Sequence, residues 1–384
     1  MIFYVVSKKV MISSGEASGE LYGALLSREI KKRWPDTEIF GIGGPRMKQE
    51  GVSLIAPITH IVGLVEVIKH LPEVKRTLDK ARNALTTRKP DILVLIDYPD
   101  FNITLARKAK EEGIPILYYV SPQVWAWRSG RVKKIASLVN RMAVLFPFEV
   151  ECYKHTGLPC EFVGHPVAET IRINESKEAI RTKLGLDPDR GVISLLPGSR
   201  PGEIRRHLPI IINVAEKITD EFPDMQIVMP LVTGTMITEK LPDNIKMIYG
   251  RTTEALACSE AAAVTSGTAT LETGLLGIPM VVFYKISPLT FYLGKLLVNI
   301  SYVSLVNLLS GKKVVEELLQ KDANAENIFS ELKRLLTDRP YRTEMIAALE
   351  KIREMMEDKR TSERVARITG EVAGWDMTGH AVNL

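Results

Sequence analysis

The 384-residue chain is predicted to be an α/β protein built from two doubly wound domains. Three observations predict it. Short apolar runs alternate with longer amphipathic stretches, the pattern of parallel strands joined by helices. That alternation fills the first half and restarts near residue 190. The length suits two domains at roughly 100–200 residues each.

In the first half, Val10–Ser13, Glu38–Ile42, Ile92–Ile96, Ile114–Val120 and Met142–Phe146 read as strands, with helical patterns between them such as Gly19–Arg33 and Ile103–Glu112. Val163-Gly-His-Pro-Val167 punctuates the chain and marks a hinge. Beyond it, Val192–Leu196, Gln226–Pro230, Lys246–Tyr249, Ala261–Thr265 and Met280–Tyr284 are the next strands. A charged helical tail follows from Tyr341 to Ala373. The expected domains are therefore 1–168, 169–340 and a tail at 341–384. Both sheets are Rossmann-like. Ligands of such sheets bind outside the carboxyl ends of the strands, so two facing sheets would enclose a cleft, and functional motifs should follow strands directly.

Composition narrows the class. Hydrophobic residues make up 45% and charged residues 25%, which excludes a disordered chain. A net charge of +5 suits a phosphorylated ligand or an anionic membrane surface but is small for nucleic acid. Cys152, Cys160 and Cys258 form no C-x-x-C pair, which points to a reducing compartment. Met1–Ile12 is broken by Lys8 and Lys9, so no signal peptide is expected. No run of about 20 apolar residues spans a membrane.

The motifs fall where the fold expects them. After the first strand, Ser14-Gly-Glu-Ala-Ser-Gly-Glu20 makes a tight turn into a helix. Gly15 belongs to that turn, and Glu16 either binds sugar hydroxyls, acts as a base or caps the helix. Asp97 follows the apolar run Ile92–Ile96, where partial desolvation sharpens a carboxylate's basicity. The plainer alternative for Asp97 or Asp100 is an N-cap for a helix starting near Asn102. Val120-Ser-Pro-Gln-Val-Trp-Ala-Trp-Arg128 then offers Gln123, Trp125 and Arg128, with core packing the competing use of its tryptophans.

In the second half, Pro197-Gly-Ser-Arg-Pro-Gly-Glu203 follows a strand. Ser199 can donate a hydrogen bond, Arg200 can fork onto phosphate oxygens, and Glu203 closes the motif. Thr265-Ser-Gly-Thr-Ala-Thr-Leu-Glu272 offers Ser266, Gly267 and Thr268 at a helix start whose free N–H groups suit a pyrophosphate. Glu272, one to two turns on, could accept two ribose hydroxyls. No P-loop and no H-E-x-x-H pattern occurs. Asp187-Pro-Asp189 spells an acidic pair, but Pro188 suggests a turn.

Together, Gly15-Glu-Ala-Ser-Gly-Glu20, Gly44-Pro-Arg-Met47, Asp97-Tyr-Pro-Asp-Phe-Asn-Ile-Thr104, Tyr119-Val-Ser-Pro-Gln-Val-Trp-Ala-Trp-Arg128, Leu196-Pro-Gly-Ser-Arg200, Ser266-Gly-Thr-Ala-Thr-Leu-Glu272 and Tyr302-Val-Ser-Leu-Val-Asn307 resemble the lipid-A-disaccharide synthase family in content and order. Glu20 departs from the family's usual Asp, and Val306 from an expected Pro. The resemblance implies an inverting, metal-independent glycosyltransferase of the GT-B type that needs no cofactor. Its donor would be UDP-2,3-diacylglucosamine and its acceptor 2,3-diacylglucosamine 1-phosphate (lipid X). The products would be the β-1,6 disaccharide 1-phosphate and UDP, made at the inner face of the cytoplasmic membrane. Asp97 is expected to be the general base. Arg200 and the helix start near Thr268 would stabilise departing UDP, Glu272 would hold the ribose, and Glu16 and Asn307 would line the cleft.

Both substrates carry acyl chains, so a greasy surface is expected. Ile61–Ile68 and Pro288–Val298 are the candidates, although core packing explains either stripe alone. The tail either returns to the first domain or exchanges with a partner, which leaves a homodimer open. Two rivals remain: another UDP-sugar enzyme, such as a UDP-N-acetylglucosamine 2-epimerase, and a nucleotide-sugar-binding protein without turnover.

Overall fold

A computed structural model of the chain describes residues 7–58, 64–122, 129–171, 173–237, 239, 241–286, 302–356 and 360–375. The chain divides into two compact units, Met1–Pro166 with Lys359–Leu384, and Val167–Asp358. Each is built on one parallel sheet.

The first unit carries seven strands: β1 (Lys9–Ser14), β2 (Glu38–Gly43), β3 (Ser53–Pro57), β4 (Ile92–Ile96), β5 (Ile116–Tyr119), β6 (Arg141–Val144) and β7 (Cys160–Phe162). They lie in the order β3-β2-β1-β4-β5-β6-β7. Val10, Met11, Ile12 and all of β4 are fully buried, as expected of central strands covered on both faces. The covering helices include Ala17–Arg33, Leu64–Arg88, Pro99–Glu111 and Ser129–Ala136. The last described helix, Thr361–Val372, packs against Ala17–Arg33.

The second unit has six strands: β8 (Val192–Leu196), β9 (Gln226–Leu231), β10 (Ile245–Tyr249), β11 (Ala261–Thr265), β12 (Met280–Tyr284) and β13 (Glu316–Leu319). Their order is β10-β9-β8-β11-β12-β13. The helices Pro201–Glu221, Thr268–Leu275, Ala325–Thr337 and Arg339–Met355 cover it.

Three strands had no sequence signal: β3, β7 and β13. All are edges, where a strand needs no continuous apolar run. β13 reads Glu-Glu-Leu-Leu, and β7 has only three residues. The apolar segment 61–68 begins outside the described residues and runs into the helix Leu64–Arg88, and 288–298 lies wholly outside them. No helix among the described residues is long and apolar enough to cross a membrane.

Candidate active site

Each sheet reverses its strand order at one point, between β1 and β4 in the first and between β8 and β11 in the second. At such a point the loops leave in opposite directions and open a crevice at the carboxyl ends of the strands. Ser14 pairs with Ile96 across β1 and β4, so Gly15-Glu16 and Asp97 leave the sheet side by side. Val264 pairs with Leu196 across β11 and β8, which sets Pro197–Arg200 beside Thr265–Thr268.

At the first crevice the backbone is strained. Asp97 (φ 49°) and Tyr98 (φ 48°) are both left-handed, a region costing non-glycine residues on the order of 1–3 kcal/mol each. Buried side chains hold them there. The Asn102 amide donates to the Asp97 carbonyl at 2.7 Å and the Ile96 carbonyl at 3.3 Å, while its oxygen accepts from the Ser13 hydroxyl at 2.7 Å. The buried Tyr118 phenol donates to the same Asp97 carbonyl at 2.8 Å. Val120, at the end of β5, is a third left-handed residue (φ 69°).

The helix after Asp97 starts at Pro99, earlier than expected, with Tyr98 at its N-cap. Asp97 is therefore not a cap. It stands half-buried just outside the sheet. Asp100 is on the helix, its side chain 83% exposed and paired with Arg131 at 2.7 Å, a poor setting for a base in a crevice. Glu16 occupies an N-cap position without capping through its side chain. Gly15 is required by contact: a Cβ there would stand 2.2 Å from the Tyr98 ring. Glu20 accepts from the Arg46 amide at 2.8 Å and so fixes the Gly44-Pro-Arg turn. Gln123, Trp125 and Arg128 lie outside the described residues.

At the second crevice, Ser199 and Arg200 are exposed at the start of the helix Pro201–Glu221. Glu203 does not present itself to a ligand. Its carboxylate accepts from the Ser199 and Arg200 amides (3.3 and 3.4 Å), the Arg200 guanidinium (3.2 Å) and the Tyr284 hydroxyl (3.0 Å). A carboxylate so engaged shapes the phosphate loop, and its charge would repel a diphosphate. Burial, with Glu203 adding to it, pushes the Tyr284 phenol up to about 12.

Gly267 is the N-cap of Thr268–Leu275 at φ 142°, open to a side chain but not to an L-residue's backbone preference. Ser266 donates to the Val303 carbonyl at 2.8 Å, which ties its hydroxyl to the loop. Glu272 accepts from the Thr253 hydroxyl at 2.5 Å. Burial raises its pKa, and the Thr253 bond offsets part of that rise. Its second oxygen has no protein donor among the described residues.

Asn307 is fully buried, and its hydrogen bonds are all used internally. Its amide donates to the Val315 carbonyl and Glu317, and its oxygen accepts from the Val314 and Val315 amides. Nothing remains for a ligand, so Asn307 braces the loop before β13 rather than lining a cleft. Asp187-Pro-Asp189 is a turn closed by the Asp189 amide on the Asp187 carboxylate at 3.0 Å.

Sequence reasoning missed two residues. Thr253 lies nineteen positions before Glu272, and no local pattern joins them. His207 is buried one turn after Glu203, a spacing that would have placed both on one helix face. Its Nδ1 donates to the Pro197 carbonyl at 2.8 Å and its Nε2 accepts from the Lys285 amide at 3.0 Å, so it ties the loops after β8 and β12 together.

The family profile described as lipid-A-disaccharide synthetase matches residues 10–369. The lipid-A-disaccharide synthase of Geobacter sulfurreducens is 42% identical over 376 residues, covering 96% of this chain and 98% of that one. Among solved structures, a Staphylococcus aureus MnaA–UDP complex is similar at TM-score 0.69 and 13% identity, covering 98% of this chain and 100% of that one. The glycotransferase of kitacinnamycin is similar at TM-score 0.65 and 15% identity, covering 95% and 99%. At such identities the structures share the fold only. The profile and the relative carry the rest: the chain belongs to the lipid-A-disaccharide synthase family, as a glycosyltransferase of lipid A biosynthesis with the two-domain GT-B fold.

Proposed function

We propose that the chain transfers the 2,3-diacylglucosaminyl group of UDP-2,3-diacylglucosamine to the 6-hydroxyl of 2,3-diacylglucosamine 1-phosphate, with inversion. Asp97 takes the proton of that hydroxyl as its oxygen attacks the anomeric carbon. The bond from that carbon to the UDP oxygen breaks with its electron pair, and the β-1,6 disaccharide 1-phosphate and UDP leave. The observation that carries this reading is the backbone at Asp97: left-handed, pinned by Asn102 and Tyr118, and beside Glu16 at the reversal point of the sheet. Strain of this kind persists where the surroundings over-determine it and clusters at active sites.

Arg200, Ser199 and the N–H groups at Gly267–Thr268 receive the charge developing on UDP, the work a metal ion would otherwise do. Glu272 takes the ribose hydroxyls with its second oxygen. Glu16 and Gly15 line the acceptor side, joined by Gln123, Trp125 and Arg128. Glu203 holds the loop that carries Ser199 and Arg200. The apolar segments 61–68 and 288–298 rest on the inner leaflet of the cytoplasmic membrane and admit acyl chains.

The experiment is acceptor dependence. UDP release should require an added sugar acceptor and persist in excess chelator. Release at the same rate without acceptor would indicate hydrolysis or epimerisation instead. Abolition by chelator would remove the metal-free mechanism.

A further inference from the structure

The helix Pro99–Glu111 turns one face toward a cavity of about 680 Å³ within the first unit. Asp100, Ile103, Thr104 and Arg107 line it, spaced as one helical face requires. Gly130, Arg131 and Lys134 line the other side from Ser129–Ala136. Three cations thus meet one carboxylate. Asp100 engages Arg131 through a single contact at 2.7 Å, and a guanidinium has five N–H donors, so Arg131 keeps donors for a ligand. Among the described residues neither Arg107 nor Lys134 has a carboxylate partner. The lining carries about two uncompensated positive charges, which matches the roughly −1.5 to −2 of a phosphate monoester near neutral pH. Solvated surface cations usually spread out or pair. These converge on one concavity that begins three residues after Asp97.

We propose that Arg107, Arg131 and Lys134 seat the phosphate monoester of the sugar acceptor. The assignment rests on the reading of the acceptor given above. It explains how a sugar that carries its phosphate on C1 and its reacting hydroxyl on C6 is oriented. The phosphate is held along the helix after Asp97, which leaves the 6-hydroxyl for the carboxylate. Arg131, braced by Asp100, contacts the phosphate as part of the same seat.

The test uses the full chain and two variants, Arg107→Gln with Lys134→Gln, and Arg131→Gln. Arg107 and Lys134 are exposed, where substitutions seldom disturb folding. Two acceptors are compared at saturating donor: 2,3-diacylglucosamine 1-phosphate and the same sugar without phosphate. The double variant should raise KM for the phosphorylated acceptor about tenfold or more, the loss of a charge-assisted contact. KM for the donor and for the plain sugar should not move. A variant that keeps the wild-type preference overturns the proposal.

Equilibrium binding of both sugars is read alongside, because it needs no turnover. If the wild type transfers nothing yet binds the phosphorylated sugar better, and the variants lose that difference, the seat stands and the assigned reaction falls. If the wild type binds both sugars equally, the seat falls. Sedimentation with phosphatidylglycerol vesicles separates the other source of phosphate. Unchanged vesicle binding is expected, whereas its loss with acceptor preference intact would assign the cations to lipid headgroups and overturn the proposal.

Discussion

At the scale of single residues, the chemistry depends on a few side chains held by partners far away in sequence. Asp97→Asn keeps the shape and the backbone bonds of Asn102 and Tyr118 but removes the carboxylate proposed as the base. Turnover should fall about 10²–10⁴-fold with UDP affinity and unfolding midpoint unchanged, and near-normal turnover would show that another group takes the proton. Two buried histidines are expected to weaken the fold in acid. Burial pushes His165 down to about 3 and also lowers His207. Their folded pKa values lie below the unfolded value near 6.5, so their contribution is present above that pH and lost as pH falls below it. Each should remove about 1.4 kcal/mol per pH unit in the window it spans. Denaturant midpoints at pH 7 and pH 5 measure the slope, and His165→Phe should flatten it. Asp97 itself could be read from the sequence, since it ends an apolar run. Its left-handed backbone could not, because Asp-Tyr-Pro contains no glycine to announce it.

At the scale of elements, the central strands were legible because strands covered on both faces are continuous apolar runs. The edge strands β3, β7 and β13 were not, and neither was the work of the side chains that brace the loops. Asn307 sits in a motif that suggests a ligand contact, yet its partners Val314, Val315 and Glu317 come from the next strand and the turn before it. Only the fold brings these together. Asn307→Ala should therefore act on stability, costing about 2–4 kcal/mol through unpaired buried groups, with donor KM little changed in the protein that remains folded. A large rise in donor KM at unchanged stability would return Asn307 to the binding surface. His207 deserves the same comparison: His207→Phe unties the loops after β8 and β12, and donor KM should rise before the unfolding midpoint moves far.

At the scale of the whole molecule, the carboxyl-terminal segment belongs to the first unit. Trp375 stands edge-on to Trp34 at 4.8 Å, and its indole donates to Asp91 at 3.3 Å. Two ion pairs tie the helix Thr361–Val372 to the edge of the sheet, Arg367 with Glu161 and Glu371 with Arg141, and Arg141 also pairs with Glu161. Trp375→Ala should lower the stability of the first unit by about 2 kcal/mol, read by denaturant unfolding. An unchanged midpoint would mean the segment adds nothing to that unit. The two-domain plan was legible because the strand-and-helix alternation restarts near residue 190; the return of the tail was not, since a charged amphipathic helix does not name the surface it covers.

The most direct test of the reaction is to characterise the product formed from UDP-2,3-diacylglucosamine and 2,3-diacylglucosamine 1-phosphate without added metal, by mass and by the configuration of its glycosidic bond. A tetraacylated disaccharide 1-phosphate with a β linkage, equimolar with UDP, is expected. An α linkage, a free monosaccharide, or no product from a folded protein that still binds UDP would contradict it.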